Sequence, residues 1–229
     1  MSKIFTIAID GPVASGKGTL AVGLAKKLGI LFIYTGAMYR ALTYVSIREN
    51  IDIHNDKEVL HFLKGIKIEL REPGPNENRT FSVFVNEEDV TGKIFDKEIE
   101  EKTPIVAAMG SIREVMVSLQ QQYVKGRSAI VEGRDSSTHV LPNADLKIYL
   151  TASLEKRAER RYLQLKKKSI ERPIAQIIED IKERDKKDME RSASPLTIVP
   201  DAFVIDTTNL NIEETIEKVM EKLKEKGLP

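Results

Sequence analysis

The strongest constraint on this chain lies near its start. Phe5 to Ile9 is an apolar run that stops at Asp10-Gly11-Pro12, and Leu20, Leu24 and Leu28 then recur at helical spacing. The run reads as a buried parallel strand and the spacing as one face of a helix. Between them stands Gly11-Pro12-Val13-Ala14-Ser15-Gly16-Lys17-Gly18-Thr19. A glycine-rich turn with a lysine, leaving a strand and opening a helix, is the context of a phosphate-binding loop. Its glycines let backbone N–H groups turn inward around phosphate oxygens, and the helix N-terminus adds its positive end. Lys17 would bridge the β- and γ-phosphates of ATP, and Thr19 would reach a magnesium ion. The plain pattern puts Ser or Thr directly after the lysine. Here Gly18 stands there and Thr19 follows, a form that resembles the small-molecule and nucleotide kinases.

The rest of the chain keeps the alternation that such a loop needs. Gly29 sits where a left-handed helix cap belongs. Leu31 to Tyr34 reads as a second strand and Thr35 to Arg48 as a helix. From Ile66 the texture changes. Ile66, Ile68 and Leu70 alternate with charged neighbours, as do Phe81, Val83 and Val85, with Pro73-Gly74-Pro75-Asn76 as turn chemistry between them. This predicts a small antiparallel insertion over about residues 64–92. Helices follow over 97–108 and 111–123, strands over 129–131 and 146–150, and a helix capped by Ser153 through Leu165. The basic run Lys166-Lys167-Lys168 leads to a helix from Pro173 to about Arg191. Ala202 to Ile205 is the last strand, and Asn211 with Glu214 forms a capping box for the last helix. Alternating strands and helices predict an α/β fold with a parallel sheet covered by helices on both faces. Ligands in such folds sit beyond the carboxyl ends of the strands.

Composition excludes several other readings. The formal net charge is +1, so no global field points to nucleic acid, and any anion site must be local. There is no cysteine, which removes disulfides, thiolate metal sites and a cysteine nucleophile. No apolar run approaches the roughly 18 residues of a membrane span, and Met1 to Asp10 turns polar too soon for a signal peptide. The expectation is a cytoplasmic protein, monomeric, with no nucleic-acid or membrane partner.

Charged residues gather at the places where the fold would put a site. Ala129-Ile130-Val131-Glu132 ends a buried strand in a carboxylate, where a phosphate-loop enzyme keeps an acid for magnesium or its water shell. Asp10, at the end of the first strand, is expected to order the loop by hydrogen bonds. Arg134 and Asp135 follow Glu132 directly. Arg157, Arg160 and Arg161 share one helix, and Arg184, Asp188 and Arg191 share one face of another. Residues 155 to 191 hold 13 Lys/Arg against 9 Asp/Glu. A solvated helix laced with ion pairs has that composition too. Beside a phosphate loop, however, arginines meet the charge of two phosphorylated substrates and of the transition state. His54, His61 and His139 read as surface or packing residues.

Taken in order, Ile-Asp-Gly-Pro, Gly-Lys-Gly-Thr, Thr35-Gly36-Ala37-Met38-Tyr39-Arg40, Glu132-Gly133-Arg134-Asp135 and Glu183-Arg184-Asp185 resemble the bacterial cytidylate kinases, from about residue 4 to the last helix. The resemblance implies a P-loop kinase fold of one domain, 1–229. It also implies an enlarged monophosphate-binding insertion at about 64–92 and a helical lid at about 154–172. It implies transfer of the γ-phosphoryl group of ATP to CMP or dCMP with Mg2+. Lys17, Arg134, Arg157 and Arg161 would act on the transferred group. Thr35, Arg40, Arg134 and Arg191 would hold the acceptor phosphate, Arg184 and Asp188 the sugar, and Arg113 and Asp135 the base. Thr19 and, through water, Glu132 would serve the metal. The chain departs from the family twice. Glu132 replaces an aspartate, and Thr103-Pro104 stands where a base-contacting serine is usual, so that contact falls to Thr103 or is lost.

The chemistry of the base agrees with this. Cytosine donates from its exocyclic amine, which needs an acceptor such as Asp135, while its O2 and N3 need a donor such as Arg113. Three rival readings differ in acceptor or class. They are UMP or a non-nucleotide acceptor, a nucleotide-regulated switch, and a nucleic-acid-binding protein. A guanine-reading switch would carry Asn-Lys-x-Asp, and no Asn-Lys pair occurs. Near-neutral charge opposes the last.

Overall fold

The computed structural model describes residues 4–72, 79–167 and 169–229. The expected turn at Pro73–Asn76 and Lys168 of the basic run lie outside the described residues. The chain forms two compact units, one of residues 1–31 with 127–229 and one of residues 32–126.

The first unit is built on strand β1, Thr6–Asp10, with its hydrophobic residues Ile7, Ala8 and Ile9 fully buried. β1 pairs in parallel with β6, Ala129–Glu132, on one side and β7, Leu146–Thr151, on the other. β7 pairs in turn with β8, Phe203–Asp206, also in parallel. Leu31, where β2 (Leu31–Tyr34) begins, donates its N–H to the Ser128 carbonyl at 3.2 Å. The register sets Ile9 beside Glu132 and Asp10 beside Tyr149. Both carboxylates therefore stand at the carboxyl edge of the sheet, where the glycine-rich loop departs.

Helix α1, Lys17–Leu28, buries Leu20, Ala21 and Leu24. Burying each leucine is worth about 1.5–3 kcal/mol. Gly29 ends α1 at φ 64°, the left-handed cap expected from the sequence. Helices α6, Leu154–Lys167, and α7, Ile174–Glu190, pack on each other through Ala158, Leu165, Ile177 and Ile181. The Ser153 hydroxyl accepts from Lys156 N–H at 3.2 Å and starts α6. In α8, Ile212–Glu225, the capping box forms with both bonds: Asn211 N–H to the Glu214 carboxylate at 2.8 Å and Glu214 N–H to Asn211 Oδ1 at 2.9 Å.

The second unit has its own core. It contains α2, Thr35–Arg48; α3, Asp56–Lys64; α4, Lys97–Ala107; and α5, Gly110–Val124. It also contains an antiparallel sheet of β3, Ile68–Arg71; β4, Ser82–Val85; and β5, Glu88–Asp89. Met38, Leu42, Val59, Ile68, Val83 and Met116 meet in that core. The antiparallel segment of the sequence reading is thus one wall of a larger unit. Two pieces escaped that reading. Helix α3 buries only Val59 and Leu63, too few to signal a period. The β4–β5 hairpin turns on Asn86 and Glu87, both at positive φ, 47° and 70°, where glycine would have been the readable signal.

Candidate active site

The loop between β1 and α1 is shaped by contacts that leave little freedom. Gly11 has φ 154°, and a Cβ there would lie 2.1 Å from the Leu150 carbonyl oxygen, so only glycine fits. Ala14 turns the chain at φ 58° without a glycine's freedom. Gly16 then delivers the chain into α1 at φ 95°. The first turn of α1 carries no acidic side chain of its own.

Lys17 is buried at the base of this loop. Its ammonium donates to the Pro12 carbonyl at 3.0 Å and lies 3.7 Å from Glu132 Oε1. Burial, aided by the Arg134 charge, pulls its pKa down to about 7 against Glu132, Asp188 and Asp10. Burial pushes the Glu132 carboxyl up, against the attraction of Lys17 and Arg134. Glu132 Oε2 also lies 3.9 Å from the point where a side chain at Gly18 would begin. The position where the plain pattern has its hydroxyl is therefore faced by a carboxylate, and Thr19 sits exposed one residue further along α1.

Asp10 corrects the sequence reading. It orders not the glycine-rich loop but the turn after β6. It accepts from Ser136 N–H at 2.8 Å, Ser137 N–H at 2.7 Å and the Ser137 hydroxyl at 2.5 Å. That turn, Ser136–Val140, is wide, with Leu141 N–H reaching back to the Ser136 carbonyl at 2.7 Å. It fixes the backbone on which Asp135 is buried.

Asp188 gathers the arginines of this edge. Arg134 Nε donates to it at 2.8 Å, Arg184 Nε lies at 3.6 Å and Arg191 Nη1 at 4.0 Å. Burial works to raise the Asp188 pKa, but Arg134, Arg184 and Arg191 hold it below the usual carboxylate range. Arg157 and Arg160, on α6, both turn toward the loop. Arg157 donates to the Val13 carbonyl at 3.3 Å and the Ala152 carbonyl at 3.1 Å, and pairs with Asp185. Arg160 donates to the Ser15 carbonyl at 3.0 Å and to the Thr207 hydroxyl and carbonyl at 3.0 and 2.8 Å. Arg161 is half-buried on the same helix.

The remaining candidates lie in the second unit. Thr35 is buried at the start of α2. Arg40 donates to the Ile94 carbonyl at 3.3 Å with its guanidinium 5.5 Å from the Phe95 ring centroid. Arg113 is buried, donates to the Ala107 carbonyl at 2.8 Å and lies 5.3 Å over the Tyr39 ring. The Thr103 hydroxyl gives its proton to the Ile99 carbonyl at 2.6 Å, so it has none left to donate to a base in this conformation.

Residues 7–225 match the cytidylate kinase family. The chain belongs to that family. Cytidylate kinases of Bacillus thuringiensis (strain Al Hakam) and Bacillus cereus (strain AH187) are each 44% identical to it over 220 residues, 96% of this chain and 96% of theirs. A solved structure from Chloroflexus aurantiacus J-10-fl aligns over 98% of both chains with a TM-score of 0.50 at 16% identity, a likeness of fold alone. As a cytidylate kinase family member the chain keeps the expected architecture: a parallel sheet flanked by helices with a smaller antiparallel sheet. Among the described residues no helix is long and apolar enough to cross a membrane. The sequence reading gave no role to Asp185 or Thr207. Their partners, Arg157 and Arg160, are distant in sequence, so no spacing rule could join them.

Proposed function

We propose that the protein transfers the γ-phosphoryl group of ATP to CMP or dCMP, giving ADP and CDP or dCDP. The observation that carries this is Lys17, buried at the base of a glycine-rich loop against Glu132 in a chain of the cytidylate kinase family. Gly11 to Thr19 wrap the ATP phosphates with backbone N–H groups, and Lys17 moves from Pro12 onto the β- and γ-phosphates. An oxygen of the acceptor's own phosphate attacks in line, so no covalent enzyme intermediate is needed. Arg134, Arg157 and Arg161 meet the charge that spreads over the transferred group. Thr35, Arg40, Arg134 and Arg191 hold the acceptor phosphate, Arg184 and Asp188 its sugar, and Arg113 and Asp135 its base. The protein works as a cytoplasmic monomer in pyrimidine nucleotide metabolism.

Magnesium suits the donor set. Among the described residues no cluster of three or more His, Cys, Asp or Glu could cage a metal unaided. Mg2+ in phosphoryl-transfer sites takes only one or two carboxylates plus substrate phosphates and waters. Glu132, through water, and Thr19 would hold the ion that accompanies ATP. When bound, it would supply positive charge against the phosphates.

An acceptor panel with magnesium-ATP tests the reading. Turnover on CMP or dCMP should exceed that on UMP by about tenfold or more. A preference for UMP or for a non-nucleotide acceptor would overturn it.

The depressed Lys17 pKa gives a second test. Bound phosphates favour the ammonium, so ATP raises the pKa from about 7. Well below that pH the lysine is already charged. Above it, ATP binding must draw in a proton, and affinity falls as pH rises. Calorimetry at about pH 8.5 in two buffers of different ionisation enthalpy should read about one proton taken up per ATP. No uptake would mean that Lys17 is already charged in the free protein or does not meet the phosphates.

A further inference from the structure

We propose that Asp185 is a positioning residue for the phosphate loop, clamping both backbone groups of Val13 with Arg157 as its partner. Val13 N–H donates to Asp185 Oδ1 at 3.2 Å. Arg157 Nη1 donates to Asp185 Oδ2 and also to the Val13 carbonyl, the latter at 3.3 Å. The three residues form a closed ring: Asp185 accepts from Val13 N–H and from Arg157, and Arg157 donates as well to the Val13 carbonyl. Arg157 is anchored independently on the Ala152 carbonyl at 3.1 Å, at the end of β7. Asp185 and Arg157 are both buried, each 8% exposed, so their pairing is not a screened surface contact. The Val13 side chain packs against the apolar seam of α6 and α7, where Ala158, Leu165, Ile177 and Ile181 meet.

The next residue shows why such a clamp is useful. Ala14 is held at φ 58°, a left-handed conformation that costs a residue with a Cβ about 1–2 kcal/mol. The loop must keep that turn for its following N–H groups to converge on phosphate. An unpinned loop would relax toward negative φ at Ala14 and turn those groups away. Strain of this kind persists only where surroundings over-determine it, and the clamp fixes the peptide groups immediately before it. Asp185 therefore acts through Val13 and Ala14 on the affinity for a triphosphate, and through Arg157 on the placement of a guanidinium beside the loop. It need not touch the substrate. The inference rests on the proposed use of this loop for ATP.

The test is a double-mutant cycle read by ATP titration. Asp185→Ala should weaken ATP binding about tenfold. Asp185→Asn keeps an acceptor for Val13 N–H and loses the charge for Arg157, so it should recover about half of that loss on a logarithmic scale. Ala14→Gly removes the cost of positive φ. In the Ala14→Gly background the Asp185→Ala loss should shrink to about threefold or less. A general loss of stability would not be rescued at Ala14, and thermal melting of each variant separates the two effects. Wild type that fails to bind ATP would remove the functional reading itself. Wild-type binding with an equal Asp185→Ala loss in both backgrounds, or none, would overturn the clamp alone.

Discussion

Replacing Lys17 by alanine should lower kcat by about a hundredfold to a thousandfold and leave CMP binding within a few-fold of wild type. The effect is large because the charge is used where charge develops. One preorganised donor in a dry site is worth about 3–4 kcal/mol in the transition state, and the Lys17 ammonium is both buried and next to the loop. The variant should still fold. Burial already makes the lysine's charge costly in the free protein, to the point of pulling its pKa to about 7, so losing the charge costs little stability. The residue left behind is Glu132, whose carboxyl burial already pushes upward. Without Lys17 it becomes easier still to protonate. Lys17→Ala should therefore bind magnesium-ATP less well at mildly acid pH than at neutral pH, reversing the alkaline weakening expected of wild type. Steady-state rates, a CMP titration and a melting curve make the measurement. Turnover within about tenfold of wild type would show that phosphoryl transfer does not depend on this ammonium.

Much of this site was legible because its parts lie close together in sequence. The strand–loop–helix unit from Phe5 to Leu28 carries its own period, turn residues and lysine, and α1 begins at Lys17 itself. Thr35–Arg48 and the Asn211–Glu214 box were readable for the same local reason. The pairing of Arg184 with Asp188 on α7 was also visible in their spacing, while Arg191 follows the helix as its extended C-cap. What spacing could not supply was the partner across the fold. Arg134 reaches Asp188 over 54 positions, and Arg157 reaches Asp185 over 28. Asp10 shows the cost of a local guess. Next to Gly11 in the chain, it was expected to serve that loop, yet its acceptors face Ser136 and Ser137, more than 120 positions away. Parallel pairing of β1 with β6 makes that contact, and pairing register is a tertiary fact.

Asp135→Ala should narrow the preference for CMP over UMP by about tenfold to a few hundredfold, and Arg113→Ala should weaken both substrates together. Cytosine's exocyclic amine donates a hydrogen bond that an aspartate oxygen accepts, whereas uracil presents a carbonyl there. Two acceptors opposed in a buried place leave both unsatisfied, which costs roughly 1–3 kcal/mol, or more with a charge. The local structure favours such a rigid reader. Asp135 is buried, and its own carbonyl accepts from His139 N–H at 2.9 Å and Val140 N–H at 3.3 Å. Its backbone therefore cannot easily swing to accommodate the wrong base. Arg113 is rooted on the Ala107 carbonyl and lies over the Tyr39 ring. Its donors suit O2, which both pyrimidines share, so its loss should cost both alike. In this conformation the Thr103 hydroxyl gives its proton to the Ile99 carbonyl. The measurement is kcat/KM for CMP and UMP in wild type and both variants. An unchanged ratio in Asp135→Ala would move this carboxylate from the base to the support of its neighbour Arg134, and kcat would then fall equally for both acceptors.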